Sequence, residues 1–262
     1  MFPIITVLGK PLGCYALLAA AGTLAAGFYA CKRAARNGWD DNDMLRLLCA
    51  AALGAFLGGH LLYGVVNASF LGLFRGLPQA EDKLRFAGDI LLHTFGGQVF
   101  FGGLLGGIAT GTLYARKRRL PLGLYCDILA AAVPLFHGFG RIGCFLGGCC
   151  YGVESPVGFV FTHALLEEAN HIRRFPVQLA EAAFCFCLFA LFHALRGQRA
   201  LQKRLFPLYL LLYSIGRLFL EFLRGDAARG LVLGLSTSQI IALLLCATAA
   251  VLLIRNQTPK GT

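Results

Sequence analysis

The stretch Leu205-Phe206-Pro207-Leu208-Tyr209-Leu210-Leu211-Leu212-Tyr213-Ser214-Ile215-Gly216-Arg217-Leu218-Phe219-Leu220-Glu221-Phe222-Leu223-Arg224 sets the terms for the rest of the chain. It is an apolar run close to the ~20 residues that a helix needs to cross a bilayer, yet it carries two arginines and a glutamate. Tyr213, Arg217, Glu221 and Arg224 recur at i, i+4, i+8 and i+11, a spacing that gathers them on one helical face. A charge at mid-membrane costs on the order of 3 kcal/mol by insertion scales, so residues of this kind face a cavity or one another. Two readings follow: an Arg217–Glu221 pair that holds helices together, or a functional site.

Outward from this run the chain repeats the pattern. It has 262 residues, 57% hydrophobic and 14% charged, with a mean hydropathy of +0.68. A soluble domain of this size covers its surface with far more charge. Apolar runs at 12–31, 45–67, 90–114, 122–140, 176–196, 205–223 and 236–254 predict about seven transmembrane helices. The fold class is therefore all-α, a single transmembrane domain over 1–262 with two long loops, 68–89 and 141–175. No charged segment, short apolar core and small-residue cleavage site precede a soluble body, so the first run is expected to be a retained span.

The formal net charge of +11 raises the possibility of nucleic acid, but the basic residues sit in short clusters between apolar runs. That distribution suits lipid headgroups and membrane topology, and no nucleic-acid partner is expected. Thirteen Lys and Arg fall on the side of the 32–36, 116–119, 196–204 and 255–260 clusters, against nine on the other, and the thirteen lie in short loops. The positive-inside rule then places the N-terminus and both long loops outside and the C-terminus in the cytoplasm.

A second constellation is His137-Gly138-Phe139-Gly140-Arg141-Ile142-Gly143-Cys144-Phe145-Leu146-Gly147-Gly148-Cys149-Cys150-Tyr151-Gly152. Its glycines permit turns at the end of the fourth span. Arg141 would then sit at the membrane boundary beside exposed backbone amides, an arrangement that suits a phosphate. The alternative is a glycine-rich packing corner with a snorkelling arginine. Of the ten cysteines, only Cys144, Cys149 and Cys150 cluster in a polar context; the others lie in or beside apolar runs, as small hydrophobes do. Three thiols with His137 are chemically able to hold zinc, but the adjacent Cys149-Cys150 pair lacks the usual Cys-x-x-Cys spacing. A disulfide on the outer face is the other alternative. No metal or other cofactor is expected.

Gly140-Arg141-Ile142-Gly143-Cys144-Phe145 resembles the signature segment of the bacterial prolipoprotein diacylglyceryl transferases, Gly-Arg-(Ile/Leu)-Gly-Asn-Phe. Five further stretches resemble that family in the same order. They are Cys14-Tyr15-Ala16-Leu17; Phe101-Gly102-Gly103-Leu104-Leu105-Gly106; Pro176-Val177-Gln178-Leu179-Ala180-Glu181; Tyr213-x-x-Gly216-Arg217-x-x-x-Glu221-Phe222-x-Arg224; and Leu235-Ser236-x-x-Gln239. Three departures stand out. Phe101 and Cys144 replace the family's histidine and asparagine, and His60 stands where the family usually has arginine.

The resemblance implies a transferase of the bacterial inner membrane that uses phosphatidylglycerol and other membrane lipids as its surroundings and donor. A diacylglyceryl group would move to the lipobox cysteine thiol of a pre-lipoprotein, next to its signal peptide. By position, Arg141 and Arg217 would clamp the lipid phosphate, Glu221 would orient Arg217, and Tyr15 would donate to the headgroup. His60 and His137 are the candidates for general base, since histidine titrates near the working pH. Gly140, Gly143, Cys144, Gly102, Gly103, Tyr213, Arg224, Gln178 and Glu181 would line the substrate site, with Gln178 and Glu181 one layer back. Asp127 is expected to orient a neighbouring arginine or amide. A relative that only binds lipid, or that transfers to another acceptor after losing the family histidine at Phe101, is the alternative.

Overall fold

A computed structural model of the protein describes all residues except 1–2, 8, 67–81, 165, 227–230, 233–234 and 256–262. The described chain is mostly helical, with eight α-helices and three two-stranded antiparallel hairpins. It forms two compact units, one of Met1–Gly38 with Gly123–Thr262 and the other of Trp39–Leu122.

In the first unit, the hairpin β1 (Ile4–Val7) with β2 (Lys10–Gly13) leads directly into α1 (Cys14–Arg36). Four more helices follow: α5 (Leu122–Gly147), α6 (Val177–Leu195), α7 (Leu205–Glu221) and α8 (Thr237–Arg255). The core packs α5, α6 and α7 through Ala130, Ala131, Leu188, Phe192, Leu205 and Tyr209. The alanines of α5 let the aromatic rings of the other two helices approach closely, with Phe192 edge-on to Tyr209 at 5.9 Å between centroids. Asp127 holds the start of α7 by accepting from the backbone amides of Lys203 and, at 3.3 Å, Phe206. The Phe206 amide belongs to the first turn of α7, whose donors the helix itself does not satisfy, so a carboxylate there does the work of a cap.

The second unit holds α2 (Asp41–Val66), α3 (Lys83–Phe95) and α4 (Phe100–Lys117). α2 and α4 meet along glycines. A Cβ on Gly58 would lie 2.2 Å from the Gly102 carbonyl oxygen, and one on Gly106 would lie 2.1 Å from that of Gly54. Small residues let the two backbones touch, the mode of packing that membrane helices favour. Thr110 closes the contact by donating to the Ala50 carbonyl on the facing helix at 2.8 Å.

Among the described residues, five helices are long and apolar enough to cross a membrane: α1, α2, α5, α6 and α8. They leave large apolar side chains on the outside, among them Leu24 (75% exposed) and Leu244 (63%), a surface that belongs in lipid.

Three sequence expectations are corrected. The run 90–114 is not one helix: α3 ends at Phe95 and α4 begins at Phe100. Gly96 and Gly97 break it, and the Val99 amide turns away to donate to the Gly59 carbonyl at 3.1 Å. The long loop does not begin at residue 141, because α5 continues to Gly147. Gly140 and Gly143 are helical, so Arg141 lies inside a helix and is not beside exposed amides. Third, α7 stops at Glu221, so Arg224 lies beyond the helix whose face it was expected to share. The rest of the expected 141–175 loop holds β3 (Glu154–Val160) paired with β4 (Arg173–Arg174). Most of the expected 68–89 loop falls outside the described residues.

Candidate active site

The site is built in the first unit around one carboxylate. Glu181, on the first turns of α6, is 3% exposed. Three guanidinium groups converge on it from different elements. Arg141 Nε from α5 lies 2.7 Å from Oε2. Arg217 Nη1 from α7 pairs with Oε1, and Arg224 Nη1 lies 3.6 Å from the same oxygen. Arg217 also pairs with Glu221 one turn along α7, Nη2 to Oε2 at 2.6 Å, and donates to Ser238 Oγ at 3.1 Å. Ser236, in the strand β6 (Leu235–Ser236) that pairs with β5 (Leu231–Val232), donates to Glu221 Oε1 at 2.6 Å. Arg224 makes a two-point pair with Asp226, at 2.9 and 2.8 Å.

The cluster is balanced, with Arg141, Arg217 and Arg224 against Glu181, Glu221 and Asp226. Burying charge is tolerable only under such pairing, since an unpaired ion in a low-dielectric interior costs several kcal/mol. The balance still leaves donors to spare. Among the described residues Arg141 uses only its Nε, and its side chain is 24% exposed, so both of its Nη groups are available to an anion. Beside the cluster lies a cavity of about 40 Å³ lined by His137, Arg141, Glu181, Phe184, Cys185, Tyr213, Arg217 and Leu220. It is large enough for a water or for one end of a larger ligand. His137 packs its ring 5.6 Å from that of Tyr213, and its Nδ1 is buried with no hydrogen-bond partner among the described residues.

The remaining expected residues divide by location. Tyr15, 50% exposed at the start of α1, lies over Gly143, where a Cβ would come within 3.2 Å of the Tyr15 Cα. Gly140 has open space on its Cβ side. Gln178, fully buried, donates to the Cys149 carbonyl at 2.8 Å and so ties α6 to the turn after α5. Cys144 is buried at 8% exposure. Tyr151 donates to Glu168 at 3.2 Å and carries the Arg174 guanidinium 4.2 Å from its ring centre. Burial, reinforced by that carboxylate, holds the Tyr151 phenol above its usual range. His60, Gly102 and Gly103 belong to the second unit. There His60 Nε2 lies 3.0 Å from Gln98 Nε2, and Gly102 and Gly103 face the backbone of α2.

Sequence reasoning put Glu181 one layer back, whereas the structure makes it the point where the arginines meet. It missed Ser238 and Asp226. The only signal for Asp226 was its place two residues after Arg224, and the only one for Ser238 was the polar stretch Ser236-Thr237-Ser238-Gln239 just before an apolar run.

A multi-pass membrane protein with a buried, charge-balanced cluster of arginines and carboxylates is thereby defined. Residues 3–255 match the family model described as prolipoprotein diacylglyceryl transferase, and the chain belongs to that family. Among its relatives is the phosphatidylglycerol–prolipoprotein diacylglyceryl transferase of Clostridium tetani, 34% identical over 233 residues, which cover 87% of each chain. A second such transferase of Clostridium perfringens is 30% identical over 241 residues, 90% of this chain and 88% of that one. The transferase of Beijerinckia indica is 34% identical over 272 residues, 98% and 94% of the two chains.

Proposed function

We propose that the protein transfers a diacylglyceryl group from phosphatidylglycerol to the cysteine thiol of a prolipoprotein, beside its signal peptide. The observation that carries this reading is the convergence of Arg141, Arg217 and Arg224 on Glu181 in a chain that belongs to this family.

The chemistry follows from what must be stabilised. Sulfur attacks a glyceryl carbon, the carbon–oxygen bond to phosphate breaks, and glycerol phosphate leaves with an added negative charge. A fixed guanidinium aimed at the departing phosphate favours that charge most in the transition state. Arg141 is the arginine that reaches outward, and a planar guanidinium binds two phosphate oxygens at once. Glu181 holds Arg141 and Arg217 in place, and Glu221, itself held by Ser236, fixes the far side of Arg217. These carboxylates set the guanidinium planes before substrate arrives, which removes an ordering cost from the reaction. In this reading Tyr15, half exposed at the start of α1, donates to the lipid headgroup. His137, lining the cavity with an unpaired ring nitrogen, is the better placed of the two histidines to take the thiol proton.

The same reading places the protein in the bacterial inner membrane, with seven crossings, the N-terminus outside and the C-terminus cytoplasmic. α7 and the α3–α4 pair supply the two crossings beyond the five long apolar helices. Expression in a bacterium depleted of its own transferase tests the reading. Growth and lipidation of an endogenous lipoprotein are expected with the parent protein and not with Arg141→Ala. Failure of the parent, inserted in the membrane at normal levels, overturns it.

A further inference from the structure

α5 ends in a turn that gathers three cysteine sulfurs. The Cys149 amide donates to the Cys144 carbonyl at 3.1 Å and the Gly148 amide to that of Phe145 at 3.2 Å, with Gly148 at φ 69°. These nested bonds are a Schellman motif, whose geometry brings the side chains at its first and last positions together. An apolar pair usually fills those positions; here they are Cys144 and Cys149. Cys150 then takes φ 56°, a strained value for a residue with a Cβ. The segment is held there by the Val153 amide on Leu223, the Gly225 amide on Tyr151 (both 3.0 Å) and the Gln178 amide on Cys149. The result is that the sulfurs of Cys144, Cys149 and Cys150 all lie within 4.8 Å of one another. Arg224 lies against the Cys150 sulfur, and Arg141 is one turn before Cys144 on α5.

We propose that Cys144, Cys149 and Cys150 form a three-thiolate site for a zinc ion, with the fourth position open to the acceptor thiol. Zinc–sulfur bonds of 2.3 Å in tetrahedral array separate the sulfurs by about 3.8 Å, a small contraction of the observed cluster. A disulfide between the neighbours Cys149 and Cys150 is disfavoured, since Cα atoms ~3.8 Å apart across a trans peptide fall short of the ~4.4 Å that disulfides need; a Cys144 disulfide to either of them is an outcome that the mass measurement below reads. Three thiolates on Zn²⁺ carry one net negative charge, with the Arg224 guanidinium beside the Cys150 sulfur.

The role of the fourth position rests on the function proposed above. The acceptor thiol binds there and its proton passes by way of water to His137, because a thiol on zinc is deprotonated outright. Its sulfur forms the bond to the glyceryl carbon as the bond to phosphate oxygen breaks. The electron pair leaves with glycerol phosphate, and the neutral thioether, a weaker ligand, departs.

The test uses the full-length protein in phosphatidylglycerol nanodiscs, loaded with Zn²⁺ or with Co²⁺ as a spectroscopic probe. One metal per chain and a sulfur-to-cobalt charge-transfer band are expected, and both should be lost in Cys144→Ser, Cys149→Ser and Cys150→Ser but kept in Cys246→Ser. Circular dichroism confirms that each variant is folded. If a serine variant does not fold, the cobalt spectrum of the parent decides. A lipobox peptide should shift that spectrum while its cysteine-to-serine counterpart does not. Absence of metal at saturating zinc, or a parent mass lower by two hydrogens under non-reducing conditions, overturns the site. An active parent without metal refutes the zinc site and leaves the transferase reading standing. A metal-loaded parent that makes no lipidated peptide refutes the transferase reading and supports the site.

Discussion

Glu181→Gln removes one charge and almost no volume, so its effect isolates the electrostatics of the cluster. The carboxylate pairs directly with Arg141 and Arg217 and lies 3.6 Å from Arg224. Neutralising it leaves three guanidiniums against two carboxylates at a site where the Glu181 side chain is only 4% exposed. Hydrogen bonds to charged groups are worth about 1.5–3 kcal/mol each, and breaking a buried pair by removing one partner costs about 3–5 kcal/mol. The amide still accepts one hydrogen bond, so the lower half of that range, about 3 kcal/mol, is the expected loss of stability. Equilibrium unfolding of the two proteins in mixed micelles measures it. The double variant Glu181→Gln/Arg141→Gln should recover part of the loss, because it restores the balance of charge. A loss below about 1 kcal/mol, the value of a solvent-exposed pair, would refute the convergence of the three arginines on this carboxylate.

Other outcomes follow from the same geometry. Arg141→Lys keeps the charge but loses two-point binding of phosphate, and the rate of lipidated peptide formation should fall about 10- to 100-fold, the equivalent of one charged hydrogen bond. Gly58→Ala pushes a Cβ against the Gly102 carbonyl at 2.2 Å and should cost about 1–3 kcal/mol by overpacking, read as a lowered melting temperature in detergent. Gly140→Ala meets nothing within 4 Å inside a helix, so it should gain about 0.5–1 kcal/mol in the same assay. Asp127→Asn weakens the acceptor for the Lys203 and Phe206 amides and should cost about 1 kcal/mol, again measured by thermal unfolding.

Much of this architecture was legible in the sequence because the bilayer imposes a length rule. The runs that became α1, α2, α6 and α8 were found within a few residues of their ends, since twenty apolar residues with basic flanks admit few other readings. The errors came where glycine was ambiguous. Gly96-Gly97 breaks a helix while Gly140 and Gly143 do not. The difference lies in the partners: the Gly59 carbonyl draws off the Val99 amide, whereas the Tyr15 backbone packs onto Gly143. Neither partner is near in sequence. The site was legible as a set of charged residues on an apolar face, because Arg217 and Glu221 are costly wherever they sit in lipid. Its wiring was not. Glu181 lies in α6, 36 residues from Arg217, and only the packing of α5, α6 and α7 reveals that it serves three arginines. The three cysteines were legible as a group in a polar context, but not the approach of their sulfurs. Their 144–149–150 spacing matches no metal motif until the Schellman turn folds it back on itself.

The central claim is that this arginine cluster supports transfer of a diacylglyceryl group to a thiol. Its most direct measurement is mass spectrometry of a lipobox peptide incubated with the purified protein in phosphatidylglycerol vesicles. The account predicts a peptide heavier by one diacylglyceryl group. None should form with a peptide whose cysteine is serine, and little with Arg217→Ala. An unmodified cysteine peptide after incubation with folded parent protein, or equal product from parent and Arg217→Ala, would contradict it.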